Sequence, residues 1–151
     1  MHFEICSQLR VTRRQAWDWA TSTQGILREM RPWLRMTFPP GSDRLEGAEL
    51  ALGRPLFLSR LYLFGCIPWG TSALTLLAWN AEHGFVEQSP MSGMALWRHE
   101  RLIADSADGC TLTDRLTFEP RYLRRLTGWF VRRLFAHRHA VLRRSLGAAA
   151  G

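Results

Sequence analysis

The chain contains no lysine. All 20 of its basic residues are arginine, against 13 acidic ones, for a formal net charge of +7. It also lacks any apolar run near the roughly 20 residues that cross a bilayer, so no membrane-spanning helix is expected. The opening "MHFEICSQLR" has no basic stretch followed by an apolar one. It does not read as a secretory signal, and the cytosol is the expected compartment. Cysteine is scarce: Cys6, Cys66 and Cys110 lie far apart with no CxxC pair. That excludes a disulfide framework and a structural zinc site, and leaves buried or half-buried free thiols. No Gly-rich phosphate loop and no nucleophile elbow occurs. The five histidines form no HxxxH pattern. On a helix, His137 and His139 lie about 200° apart, so no shared metal and no cofactor is expected.

At 151 residues the chain is long enough for one domain with a substantial core, placed at residues 1–146, with 147–151 a fraying tail. Its basic charge admits an anionic membrane surface as a partner, through an arginine-rich helix face. Nucleic acid is disfavoured, because no helix-turn-helix, finger or aromatic RNA-binding motif is present. Seven tryptophans are many for this length. Core filling accounts for most of them, and Trp97 is the best candidate for a cavity wall.

Along the chain, Phe3, Ile5, Leu9 and Val11 alternate with polar residues, the period of a half-buried strand. Thr12 is placed to cap a short helix within "TRRQAWDWATST", and Ser22 or Thr23 to cap a second that ends before Pro32. Strand-like runs follow: "WLRMTF", "PLFLSRLYLFG", "SALTLLAWNAEHG", which periodicity leaves helix or strand and its turn-like "EHG" favours as strand, and "FVEQSPM", with turn chemistry at "PPGSDRLEG" and a break at "CIPWG". "LWRHERLIADSADGCTLTDRLTFEP" then predicts a hairpin turning at "DSADG". In its two strands Trp97, His99, Arg101 and Ile103 share one phase, and Leu112, Asp114, Leu116 and Phe118 the other. From Tyr122 to Leu146 the period becomes helical. Leu123, Leu126, Phe130, Leu134 and Val141 mark an apolar face, with Arg121, Arg125, Arg132, His139 and Arg143 opposite and His137 on the core side. The expected class is α+β: a curved antiparallel sheet of six or seven strands, two short helices after the first strand, and one long C-terminal helix.

Three motifs carry a resemblance. "GFVEQSPMSGMALWRHERLI" keeps Glu87 and Trp97–His99 of a strand pair "F-V-[DE]-x-Q … GP … W-x-H-x-H-x-F". "CTLTDRLTFEP" resembles "T-x-L-x-D-x-[VL]-x-[FY]-x-x-P", and "LFAHRHAVL" resembles the helix ending "[IL]-F-x-[YH]-R-H-x-x-L". The chain thus resembles a bacterial branch of the SRPBCC, or START-like, superfamily of polyketide cyclase/dehydrase, lipid-transport and pollen-allergen-like proteins. It departs from that branch at Arg101, in place of a second histidine, at Ser89, in place of glutamine, and at "SG", in place of Gly-Pro.

The resemblance implies a helix-grip fold whose sheet face and long helix enclose a cavity. Trp97, His99, Arg101, Leu112, Asp114, Leu116 and Phe118 would then line it, with Glu87 alongside and Phe130 and Leu134 from the helix. The implied function is binding or transport of a hydrophobic small molecule or lipid, its polar end oriented by His99, Arg101, Asp114 and Glu87. A cyclase or dehydratase using His99 with Asp114 in the same pocket is the enzymatic alternative. A self-satisfied polar cluster that fixes strand register is the structural one.

Overall fold

The computed structural model describes residues 1–45 and 52–147. In chain order the elements are β1 (His2–Leu9), α1 (Arg13–Ala20), α2 (Thr23–Met30), β2 (Leu34–Met36), β3 (Pro55–Leu63), β4 (Ile67–Asn80), β5 (Gly84–Gln88), β6 (Met94–Ser106), β7 (Gly109–Pro120) and α3 (Arg124–Leu146). The seven strands form one antiparallel sheet in the order β1-β7-β6-β5-β4-β3-β2. β2 to β7 make a simple meander, and β1 joins it beside the last strand. The chain must therefore travel from one sheet edge to the other between β1 and β2, a distance of roughly 29 Å along a flat sheet at normal strand spacing. The two short helices make that passage. With α3 packed on the inner face, this is an α+β helix-grip-like fold.

Local chemistry explains the boundaries. Thr12 and Gln15 form a reciprocal capping box at the start of α1, and Ser22 caps α2 by accepting from the Gly25 amide at 3.0 Å. The break expected at "CIPWG" is shorter than its composition indicates. Only Phe64–Cys66 turn, and Ile67–Gly70 already belong to β4, because Pro68 falls at a register shift between β3 and β4 where the ladder tolerates it. Cys110 is buried, and burial, with the Asp105 charge adding to it, pushes its thiol pKa up. Cys6 and Cys66 are exposed, contrary to the expectation of three covered thiols. Glu46 and Gly47 of the "PPGSDRLEG" turn, and the tail after Gly147, lie outside the described residues.

α3 is rotated relative to the face read from its hydrophobic spacing. Its buried residues include Val131, Leu134, Phe135, Arg138, His139 and Leu142, whereas Leu123, Leu126 and Trp129 are exposed. The buried arc is turned by about a quarter of a helical turn from the Leu123–Leu126–Phe130 line. The reason is electrostatic: the sheet presents a buried carboxylate at Asp114, and α3 turns Arg138 and His139 inward toward its charge network. His139, expected among the solvent-facing arginines, is wholly buried.

Gly84 begins β5 with φ of 150°, and a Cβ there would collide with the Arg101 carbonyl oxygen of β6. Gly84→Ala is expected to push β5 off β6 and cost about 2–4 kcal/mol, combining backbone strain with overpacking. A urea titration checks this, and an unchanged midpoint would show that the two strands do not need this close approach.

Candidate functional site

The alternation in β6 and β7 places the anomalous residues side by side. Across the ladder Trp97 faces Phe118, His99 faces Leu116, Arg101 faces Asp114 and Ile103 faces Leu112. On the other side of β6, Glu87 faces His99 and Phe85 faces Arg101. All of these side chains are buried on the face that α3 covers.

Asp114 accepts four hydrogen bonds. His99 Nε2 (2.7 Å) and Arg101 Nε (2.8 Å) reach Oδ1, and Arg101 Nη2 (2.8 Å) and His139 Nε2 (2.8 Å) reach Oδ2. That fills the acceptor capacity of an ionised carboxylate. Glu29 of α2 is the second counter-ion. Its Oε1 accepts from Arg101 Nη2 at 2.8 Å and Arg138 Nε at 3.1 Å, and its Oε2 from Trp19 Nε1 at 2.8 Å and Arg101 Nη1 at 3.1 Å. Arg101 therefore bridges two carboxylates, with its guanidinium wholly enclosed.

Burial alone would raise the pKa of both acids. The Arg101 charge, helped by His99 at Asp114 and by Arg138 at Glu29, overcomes it and holds both carboxyls below their ordinary range. Arg101 shows the reciprocal effect: burial works against its charge, and the Asp114 and Glu29 carboxylates more than restore it. At the far end Arg143 Nη1 donates to Ser7 Oγ at 2.9 Å, and Ser7 meets His139 Nδ1 at 2.7 Å. With the Ser7 proton pointing at Nδ1, His139 keeps its own proton on Nε2 for Asp114.

Above this network lies a cavity of about 380 Å³ between α3 and the sheet. Glu87, Trp97, His99, Phe130 and Leu134 line it, as the resemblance implies, together with Leu74, Leu76 and Phe135. Arg101, Leu112, Asp114, Leu116 and Phe118 are not on its wall but wholly buried beneath it. The sequence pattern thus brings two layers together: a sealed ionic layer and a cavity floor. Where the two meet, His99 and Arg138 belong to both. Glu87 Oε2 accepts from Ser89 Oγ at 2.7 Å, and its Oε1 lies 3.8 Å from His99 Nδ1. His99 Nε2 is engaged by Asp114, and Nδ1, at 3.8 Å from Glu87, makes no hydrogen bond among the described residues. Ser72 Oγ, also on the wall, is buried with no hydrogen-bond partner among the described residues. A second opening of about 370 Å³ shares Leu34, Met36, Phe38 and Phe64 with the cavity. Among the described residues no three His, Cys, Asp or Glu side chains stand as a metal-ligand set.

Sequence reasoning missed Glu29, Arg138 and Trp19. Glu29 stands between Arg28 and Met30 in "ILREM", three residues after Ile26, and only the helical spacing from Ile26 to Glu29 and Met30 is a weak signal that its carboxylate is directed inward. Arg138 and His139 lie inside the "LFAHRHAVL" motif, but the helical wheel placed His139 outside.

Removing either buried acid leaves Arg101 short of a counter-ion. Asp114→Asn and Glu29→Gln should each cost about 3–5 kcal/mol, the scale for breaking a buried pair from one side. Both acids have depressed folded-state pKa values, so the unfolded chain binds more protons. Their stabilisation is complete above the unfolded values, about 3.9 for Asp and 4.3 for Glu, and is lost as pH falls through the lower folded ones. Urea midpoints measured downward from pH 7 should therefore hold nearly level and then fall below about pH 5. A midpoint that rises on acidification would contradict the ionised network.

No curated protein matches the chain. Solved structures resemble it in fold at low identity. A Mycobacterium smegmatis protein has TM-score 0.69 at 10% identity, over 99% of this chain and 93% of its own. A Chromobacterium violaceum protein has TM-score 0.65 at 8% identity, over 93% and 96% respectively. An AHSA1-like protein from Aeromonas hydrophila, solved by NMR in solution, has TM-score 0.64 at 12% identity, over 100% and 98%. The model of the family described as Domain of unknown function (DUF8410) matches residues 7–146, and the chain belongs to that family.

Proposed function

We propose that the protein binds a hydrophobic small molecule in the cavity between α3 and the sheet, as a carrier or receptor within the START-like superfamily. The observation that carries this reading is the cavity itself. It has about 380 Å³ of open volume and walls dominated by Leu, Met, Phe and Trp. Its few polar groups are contributed by Glu87, His99, Arg138, Ser72 and Thr127. Small-molecule sites have this composition: apolar surface supplies affinity, and sparse polar groups supply orientation. Burying ligand area contributes roughly 25 cal/mol per Å², less the cost of association. A packed core of the same residues would have no such volume.

Native mass spectrometry of the purified protein should find a co-purifying apolar molecule. Met91→Trp, which fills the cavity from its wall, should abolish that species while leaving the far-ultraviolet circular dichroism unchanged. Retention of the molecule by the filled variant would place binding elsewhere.

A second reading concerns how a ligand would reach the cavity. Its rim is formed by Phe64 and Trp69 on one side and Leu123, Leu126 and Trp129 on the other, all exposed. Phe64 and Leu123 hold positive φ values of 53° and 46°, a conformation costly for side-chain-bearing residues. The helix start is uncapped, and exposed Arg124 and Arg125 sit where the helix dipole disfavours cations. No acidic residue follows Glu119. Exposed apolar tips ringed by arginine fit the interface of an anionic bilayer. No helix among the described residues is long and apolar enough to cross one. Co-sedimentation with phosphatidylserine vesicles, weak binding to phosphatidylcholine vesicles, and loss of binding in Leu123→Glu/Leu126→Glu are the expected results. Equal binding to both vesicle types would remove this reading.

A further inference from the structure

The polar groups of the cavity differ in one respect that narrows its ligand. Arg138 projects from the buried face of α3 and is only 8% exposed. Its Nε donates to Glu29 Oε1 at 3.1 Å, and its guanidinium carbon lies 4.8 Å from the centre of the Phe135 ring. The same side chain forms part of the cavity wall. Among the described residues, Nε makes the hydrogen bond to Glu29, and Nη1 and Nη2 donate to no protein atom.

The neighbouring acids cannot take these donors. Glu29 has one negative charge, divided between Arg101 and Arg138, and its two oxygens already accept four hydrogen bonds. Asp114 is filled by Arg101, His99 and His139. Glu87, the remaining carboxylate on the wall, is bonded to Ser89 and lies nearest His99, and it makes no ion pair with Arg138. Arg138 thus brings a permanent positive charge and unused donors to an apolar enclosure. Leaving such a group incompletely paired is costly, and two guanidinium N–H groups match the two oxygens of a carboxylate.

Resting on the cavity reading above, we propose that the ligand is an apolar carboxylic acid whose carboxylate pairs with Arg138. Its hydrocarbon body lies along the Leu, Met and aromatic walls toward the rim. Arg101 does not touch the ligand; it occupies Glu29 and so leaves the Arg138 donors for the cavity.

The test compares saturated fatty acids, octanoic to hexadecanoic, with their methyl esters of equal chain length. Binding is followed by intrinsic tryptophan fluorescence, since Trp97 and Trp129 stand on the wall, and checked by native mass spectrometry. At the best chain length the acid should bind at least about tenfold tighter than its ester, the scale of one charge-assisted contact. Arg138→Gln should bring the acid down to the level of the ester, and Arg138→Lys should restore part of the difference. Equal binding of acid and ester by the unaltered protein overturns the carboxylate assignment but leaves the cavity reading standing. A preference for acid that persists in Arg138→Gln overturns the role of Arg138. If neither acid nor ester binds at any chain length, the cavity reading falls and this inference with it. Should Arg138→Gln not fold, the acid–ester comparison on the unaltered protein still decides the ligand class, and Arg138→Lys tests the residue.

Discussion

One guanidinium group holds the parts of this molecule in register. Arg101 is enclosed between Asp114, its cross-strand partner on β7, and Glu29 on α2. Through Asp114 it is coupled to His99 and His139, and through Glu29 to Trp19 and Arg138. The cluster therefore joins α1, α2, two sheet strands and α3 at a single point. An ionic core of this kind is a poor source of net stability compared with apolar packing, but it tolerates few arrangements. Shifting α3 along its axis, or slipping β6 by one residue, would strand a charge in the interior. An oily core would permit both with less penalty.

The constraint also accounts for the division of the interior. Below the network Leu9, Trp17, Ile103, Leu112 and Leu142 pack together. On the other side Trp97, Leu116, Phe118 and Phe135 form a second cluster whose margin is the cavity. α3 is anchored at its C-terminal half by charge and packing. Its N-terminal half, where Leu123, Leu126 and Trp129 stand clear of the core, forms the cavity's edge rather than its floor.

The strand pattern was legible because period-two alternation survives the replacement of an apolar residue by a charged one. Arg101 and Asp114 kept the phase of their neighbours, and that phase foretold their burial and their contact. Thr12 and Ser22 announced their helices for an equally local reason, a side chain meeting a nearby amide. What was not legible depended on partners distant in sequence. Glu29 and Arg101 are 72 positions apart, and Glu29 and Arg138 are 109 apart. Hydrophobic spacing alone turned α3 the wrong way, because it scored Arg138 and His139 as polar and could not include the carboxylates awaiting them. The separation of Arg101 and Asp114 from the cavity was likewise invisible: sharing a face with a wall residue does not place a side chain on the wall.

The position of β1 has a consequence for the order of events in synthesis. It pairs only with β7, so that residues 2–9 meet residues 110–117. Of the seven strands, β1 is made before the others and has no partner until about a hundred further residues have followed it, whereas β2 to β7 can pair one after another with their nearest neighbours. Such a separation delays closure, because the loop must be ordered before its ends gain any contact. Ser7 on that strand and His139 on α3 meet only once both elements are in place, so the ionic core is completed by two elements 132 positions apart. During elongation β1 is an exposed edge, and its alternating His2, Glu4 and Gln8 give the waiting strand a polar side to present.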